Sequence, residues 1–408
     1  MRRDFAIYLG NFSVGRMDAQ CQLVIGNSLM LRELGYHVIM IDNDPQSEGD
    51  SNPFSCKVTT REGLEYYTIP FHKSVQELMG QQQMMALKRI LLEIGVERIK
   101  YIFCYGSLGY ANLLFSISHF CKKHGIILLY NCVDIPDLNH GSTIERIVKK
   151  TDRWILHQAI SREMQGLIAV SSYIKDYFGR KTNYPIIVIP PLRDTMQIPE
   201  VYVSGDDKLH HLVYVGVPFP VDGRQVSESA YKDRIDLFID LLNEIDDFDY
   251  RLDIYGLEKD QYLSVVRRQE ETLNRLGEKV VFHGKVNHTE ALEVVKKADF
   301  TVNYRVKNQM TMAGFSTKFV ESVSCGTPPI VTDTSEYTAY CDKGADIIIL
   351  DPDDHASQID TMRRCLSLPK DEIRSMKSNC YNSRLFDYRR YIENFSSFLN
   401  SVDQQTSP

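Results

Sequence analysis

The chain has 408 residues, 43% of them apolar and 25% charged, enough length and apolar content for two domains with sizeable cores, which excludes whole-chain disorder, collagen and coiled coil. With 47 Lys and Arg against 54 Asp and Glu the net charge is −7. That argues against a dedicated nucleic-acid binder, which needs a strongly basic surface to displace counterions.

Nine cysteines, an odd number with no C-x-x-C pair, fit neither a disulfide framework nor a zinc ribbon and point to a reducing compartment. The apolar run after Asp4 is five residues long, too short for a signal-peptide core. No stretch approaches the roughly 18 to 20 apolar residues of a membrane span. The expectation is a soluble, cytoplasmic protein, with peripheral contact at the inner face of a membrane left open.

In chain order, short β-branched and aromatic runs alternate with segments of helical period, the pattern of βα units around parallel sheets. In the first half strands are expected at 5–10, 38–42, 66–69, 99–104, 126–130, 166–170 and 186–189. Helices are expected over 20–34 and in a segment where Ile144, Ile147, Val148, Ile155 and Ala159 share a face. The stretch 190–207, with three prolines and an acidic pair, holds the linker, placed at 196–208 between domains at 1–195 and 209–375. Strands follow at 212–215, 250–255, 279–283, 300–304, 329–332 and 346–350. The end, 371–402, reads as helix, with Tyr388, Tyr391, Phe395 and Phe398 burying one side. Two doubly wound α/β domains bind ligands outside the carboxyl ends of their strands, across a cleft.

The segment FSTKFVESVSCGTPP, 315–329, carries the strongest chemistry. Gly314 supplies a flexible approach, and Ser316 or Thr317 can cap a helix whose free N–H groups and dipole favour an anion. Lys318 adds a point charge in the first turn, and Glu321, three residues on, shares its face. A diphosphate at the helix mouth with a ribose diol along the first turn would use both. The same pair also reads as an ordinary exposed ion pair.

Three other segments offer weaker signals. GNFSVGR, 10–16, follows the first strand, and Gly10 with Asp42 suggests a dinucleotide site, but the G-x-G-x-x-G fingerprint is missing, which disfavours a dehydrogenase. DIPDLNH, 134–140, offers Asp134, Asp137 and His140 as metal ligands or as a capping turn. The acidic stretch LDPDDHASQ, 350–358, is a turn and N-cap.

The order of pieces then resembles a known family. LVYVG (212–216), KDRIDLFIDLL (232–242), RLDIYG (251–256), VVFHGKV (280–286), NYR (303–305), STKFVESVSCGTPPIV (316–331) and LDPDD (350–354) are similar to the C-terminal domain of GT-B glycosyltransferases of family 4 and related bacterial polysaccharide-assembly enzymes. GLIAVSSYIKDYF (166–178) and IPPLRD (189–194) fit the end of their N-terminal domain. The resemblance implies a GT-B fold of two Rossmann-like domains, a C-terminal helical segment (376–408) crossing back to the first, and a nucleoside-diphosphate sugar as donor substrate with neither cofactor nor essential metal. It implies that Glu321 binds the donor ribose, that backbone at Gly314, Ser316 and Thr317 with the Lys318 ammonium holds the diphosphate, that Lys232 and Arg305 neutralise it, and that Gly15 lies in the loop near phosphate and acceptor. Asp134 or His140 would orient or deprotonate the acceptor hydroxyl, and Tyr105, Ser107 and Tyr110 would line its pocket. The acceptor is a glycan or lipid-linked sugar, with retention at the anomeric carbon. One departure stands out: family 4 enzymes carry a second glutamate eight residues before the one at 321, and here that position is Ala313. It leaves open a catalytically silent GT-B protein that stabilises a partner transferase.

Overall fold

The computed structural model describes residues 3–15, 19–44, 58–61, 63–70, 81–106, 111–135, 143–198, 202, 208–221, 228, 231–245 and 247–406. Two compact units emerge. The first is 1–193 with 313–315 and 388–408, and the second is 194–312 with 316–387.

The first unit is built on β1 (Phe5–Gly10), β2 (His37–Asp44), β3 (Val58–Arg61), β4 (Leu64–Pro70), β5 (Ile99–Tyr105), β6 (Ile127–Cys132), β7 (Gly166–Ala169) and β8 (Ile186–Val188). Their order is β3-β4-β2-β1-β5-β6-β7-β8, with only β3 antiparallel, turning at Gly63 onto β4. A strand covered on both faces reads as a continuous apolar run, and β1 is buried from end to end, pairing Ile7 with Ile39 of β2 and Ile102 of β5. One polar knot lies inside this core: the Asn27 amide donates to the Tyr8 hydroxyl at 2.9 Å and to Asn131 Oδ1 at 3.0 Å. The order reverses between β1 and β5.

The second unit carries β9 (His210–Val215), β10 (Tyr250–Tyr255), β11 (Val280–Phe282), β12 (Phe300–Asn303), β13 (Pro329–Thr332) and β14 (Ile348–Leu350). All are parallel, in the order β11-β10-β9-β12-β13-β14. The reversal between β9 and β12 creates the crevice at which open α/β sheets bind ligands.

The end of the chain departs from the single helix expected there. Lys370–Ser383 and Ile392–Thr406 are separate helices. Arg384 takes a left-handed conformation, φ 47°, and ends the first, while Leu385 and Phe386 turn into apolar surroundings at 3% and 1% exposure. The second helix buries Phe395, Phe398, Leu399 and Val402 in the first unit's core. The described residues contain no helix long and apolar enough to cross a membrane.

Candidate functional site

The switch point of the second unit is organised around a residue the sequence did not single out, Asp233. It sits after β9, one residue before the cap of the helix Ile235–Asn243, and is 1% exposed. Arg305, just past β12, donates from Nε to its Oδ1 at 2.8 Å. Lys318, in the first turn of the helix Thr317–Ser324, donates to Oδ2 at 2.5 Å, and the Tyr214 hydroxyl donates to the same oxygen at 2.9 Å. Burial by itself would raise the Asp233 carboxyl, but the Lys318 and Arg305 charges outweigh it and hold the group well below the usual carboxylate range. Burial likewise drives the Tyr214 phenol up, reinforced by the carboxylate beside it, so Tyr214 stays a donor. Two cations face one carboxylate, and the cluster carries a surplus positive charge at a helix N-terminus.

Backbone holds these groups in place. Arg234 donates its N–H to the Tyr304 carbonyl at 2.8 Å. Thr332 at the end of β13 accepts from the Arg305 N–H at 2.8 Å and donates to the Arg305 carbonyl at 2.6 Å, so the ends of β12 and β13 and the start of the helix Ile235–Asn243 are stitched together. The helix Thr317–Ser324 is capped by Ser316, whose hydroxyl accepts from the Phe319 N–H at 3.4 Å. It is anchored by Phe319 against Tyr337 and Phe386, ring centroids 4.5 and 5.7 Å away.

Gly216, φ 141°, ends β9 under the Lys318 side chain, and a Cβ there would lie 2.5 Å from Lys318 Cε. Gly256, φ 123°, stacks on it, a Cβ there meeting the Gly216 carbonyl oxygen at 2.3 Å. Gly216→Ala should therefore push the ammonium off Asp233 and lower stability by about 1–3 kcal/mol, read as a lower urea midpoint with an unchanged slope.

The sequence-predicted residues fall as follows. Ser316, Thr317, Lys318, Glu321, Lys232 and Arg305 all lie in the second unit. Glu321 is half-buried on the helix face of Lys318, and Lys232 is exposed immediately before Asp233. Arg305, at 5% exposure, is locked to Asp233. The neighbouring Arg234 is occupied elsewhere, gripping Asp236 from Nε at 2.9 Å and Nη2 at 2.8 Å.

Gly15 and Gly314 belong to the first unit. There Asp42 is buried and accepts from the Val14 N–H at 2.7 Å, fixing the loop that contains Gly15. Its carboxylate is thus a tether for that loop. Ala313 is fully buried, its carbonyl accepting from the Ser171 hydroxyl at 2.6 Å. Asp134 is exposed, Tyr105 is buried in the core, and Ser107, Tyr110, Asp137 and His140 lie outside the described residues. Among the described residues no group of three His, Cys, Asp or Glu could hold a metal ion.

Comparison with known proteins relates part of the chain to a family and all of it to a fold. Residues 223–367 match the family model of glycosyl transferases group 1, the stretch that contains Lys232, Asp233, Arg305, Lys318 and Glu321. Among solved structures, sucrose-phosphate synthase from Thermosynechococcus elongatus superposes with a TM-score of 0.67 at 17% identity, covering 98% of this chain and 100% of that one. An α,α-trehalose 6-phosphate synthase from Burkholderia multivorans gives 0.63 at 11% identity over 100% of both chains. An E. coli structure named for trehalose-6-phosphate and bound with UDP-2-fluoro glucose gives 0.62 at 10% identity, over 97% and 99% of the two chains. No curated protein matches the sequence. The architecture is the two-domain GT-B fold. The likeness to the group 1 glycosyl transferases is carried by residues 223–367, and the likeness in fold by the whole chain.

Proposed function

We propose that this protein is a glycosyltransferase that moves a sugar, with retention at the anomeric carbon, from a UDP-sugar to a hydroxyl of a glycan or lipid-linked acceptor. The observation that carries the reading is the surplus cation of the Asp233, Arg305 and Lys318 cluster, set at the mouth of a helix with Glu321 one turn further along the same face. Departure of a nucleoside diphosphate develops negative charge, and preorganised cations and amides are what stabilise it. Uridine is the base favoured by the UDP-2-fluoro glucose in a structural neighbour.

In this reading the Lys318 ammonium and the first-turn N–H groups take the diphosphate, Glu321 takes the ribose hydroxyls, and Arg305 keeps Asp233 ionised so that Lys318 is held in position. The first unit takes the acceptor, with Asp134 and His140 as candidates to orient its hydroxyl. Neither cofactor nor metal is assigned a part.

The test is titration calorimetry with UDP, GDP, ADP, TDP and CMP. UDP is expected to bind selectively, and Glu321→Ala to weaken it by about tenfold or more, the worth of a hydrogen bond to a charged group. Failure of every nucleotide to bind would overturn the reading. Ala313 supports a second one, a nucleotide-binding GT-B protein that stabilises a partner transferase. UDP binding without UDP release from any UDP-sugar, across a panel of acceptors, would select it.

A further inference from the structure

We propose that the helices Gln81–Ile94, Ala111–His124 and Thr143–Glu163 of the first unit form a docking surface for an anionic lipid bilayer. They belong to the crossovers β4 to β5, β5 to β6 and β6 to β7, which all step along the sheet in the same direction. Right-handed connections place such helices on one face, and the three pack side by side.

Their outward stripes share a pattern. The first exposes Met85, Lys88, Arg89 and Leu92, and the third Ile147, Lys150 and Trp154, apolar residues seven apart with cations between them at helical spacing. The middle helix exposes Phe115, His119, Lys122 and Lys123. Among the described residues eight large apolar side chains are exposed, and five of them are here: Met85, Leu92, Phe115, Ile147 and Trp154, the last at 64%. Clustering of this kind marks an interaction face, whereas scattered single residues do not.

Charge identifies the occupant. The three helices hold nine Lys and Arg against four Asp and Glu in a chain whose net charge is −7, and one of the acids, Glu163, is engaged by Lys122 at 2.6 Å. A second copy of an acidic chain would meet this face with a mixed surface. An anionic headgroup layer meets it with uniform negative charge, and accepts Trp, Leu and Ile side chains at the acyl boundary. The assignment is independent of the nucleotide site.

Trp154 is the only tryptophan, so fluorescence excited selectively at tryptophan reports this surface alone. Vesicles of phosphatidylcholine with phosphatidylglycerol should shift its emission to the blue, protect it from acrylamide and carry the protein down on sedimentation. Vesicles of phosphatidylcholine alone should do so weakly. Charge reversal at Lys88, Lys123 and Lys150 to Glu should reduce partitioning by about tenfold or more without altering UDP binding, and high salt should mimic it. Absence of a shift with anionic vesicles would overturn the proposal. So would a shift that grows with protein concentration and needs no lipid, which would mark self-association, or equal binding to neutral vesicles that survives charge reversal.

Discussion

Asp233→Ala should lower stability by about 3–5 kcal/mol at neutral pH, because breaking a buried ion pair by removing one partner leaves the other charge uncompensated. The stranded group is Arg305, its side chain 6% exposed, with the Lys318 ammonium nearby and no carboxylate between them. Tyr214 loses its acceptor as well. The pH dependence has a definite sign. Against the pull of burial, Lys318 and Arg305 hold the folded carboxyl well below its ordinary range, while the unfolded one titrates near ~3.9. A group depressed on folding contributes fully above the unfolded value, and that contribution drains away as pH falls toward the folded one. The stability gap between wild type and Asp233→Ala should therefore be widest at pH 7 and begin to close below about pH 4. Urea unfolding at the two pH values measures it. A gap that does not change with pH would mean that shape, and not charge, is what Asp233 supplies.

That Asp233 escaped the sequence reading has a physical cause. In the run KDRID the eye takes Lys232 as the phosphate partner, since cations bind anions and a lone acid among charges reads as solvated surface. Burial reverses the roles: Lys232 is exposed while Asp233 faces two cations, one arriving from the end of β12 and one from the helix Thr317–Ser324. Only the parallel order of β9 and β12 brings 233, 305 and 318 together, and separations of that kind leave no local pattern. By contrast the helix start at 316–321 was legible, because the cap, the ammonium and the acid follow one another within a single short run of sequence. Strands showed the same division. β1, β10 and β13 stand where their apolar runs predict, while β3, the four residues VTTR, has no apolar run of its own and exists through antiparallel pairing with β4. The break in the C-terminal helix was equally silent, since Arg384 adopts a left-handed turn that glycine ordinarily marks.

Lys318→Ala separates recognition from architecture. The Lys318 side chain is 22% exposed against 6% for Arg305, so it is the member of the cluster with room to reach a ligand. Its ammonium also lies 5.1 Å from the centre of the Tyr214 ring, a contact that steers the side chain and adds little in a partly solvated setting. Removing it leaves Asp233 still bonded to Arg305 and Tyr214, a neutral and satisfied set, so the stability change should stay within about 1 kcal/mol. The surplus positive charge is gone, however, and UDP affinity should fall by about 10- to 150-fold, the equivalent of a charge-assisted hydrogen bond worth ~1.5–3 kcal/mol. Arg305→Met should behave in the opposite sense. It strips the buried partner from Asp233 and costs about 3–5 kcal/mol of stability, while a direct effect on UDP is second to the loosening of Lys318. Calorimetric titration beside urea unfolding on the same preparations resolves the two. If Lys318→Ala unfolds as readily as Asp233→Ala and binds UDP as tightly as wild type, the cluster is an internal brace and the diphosphate is held elsewhere.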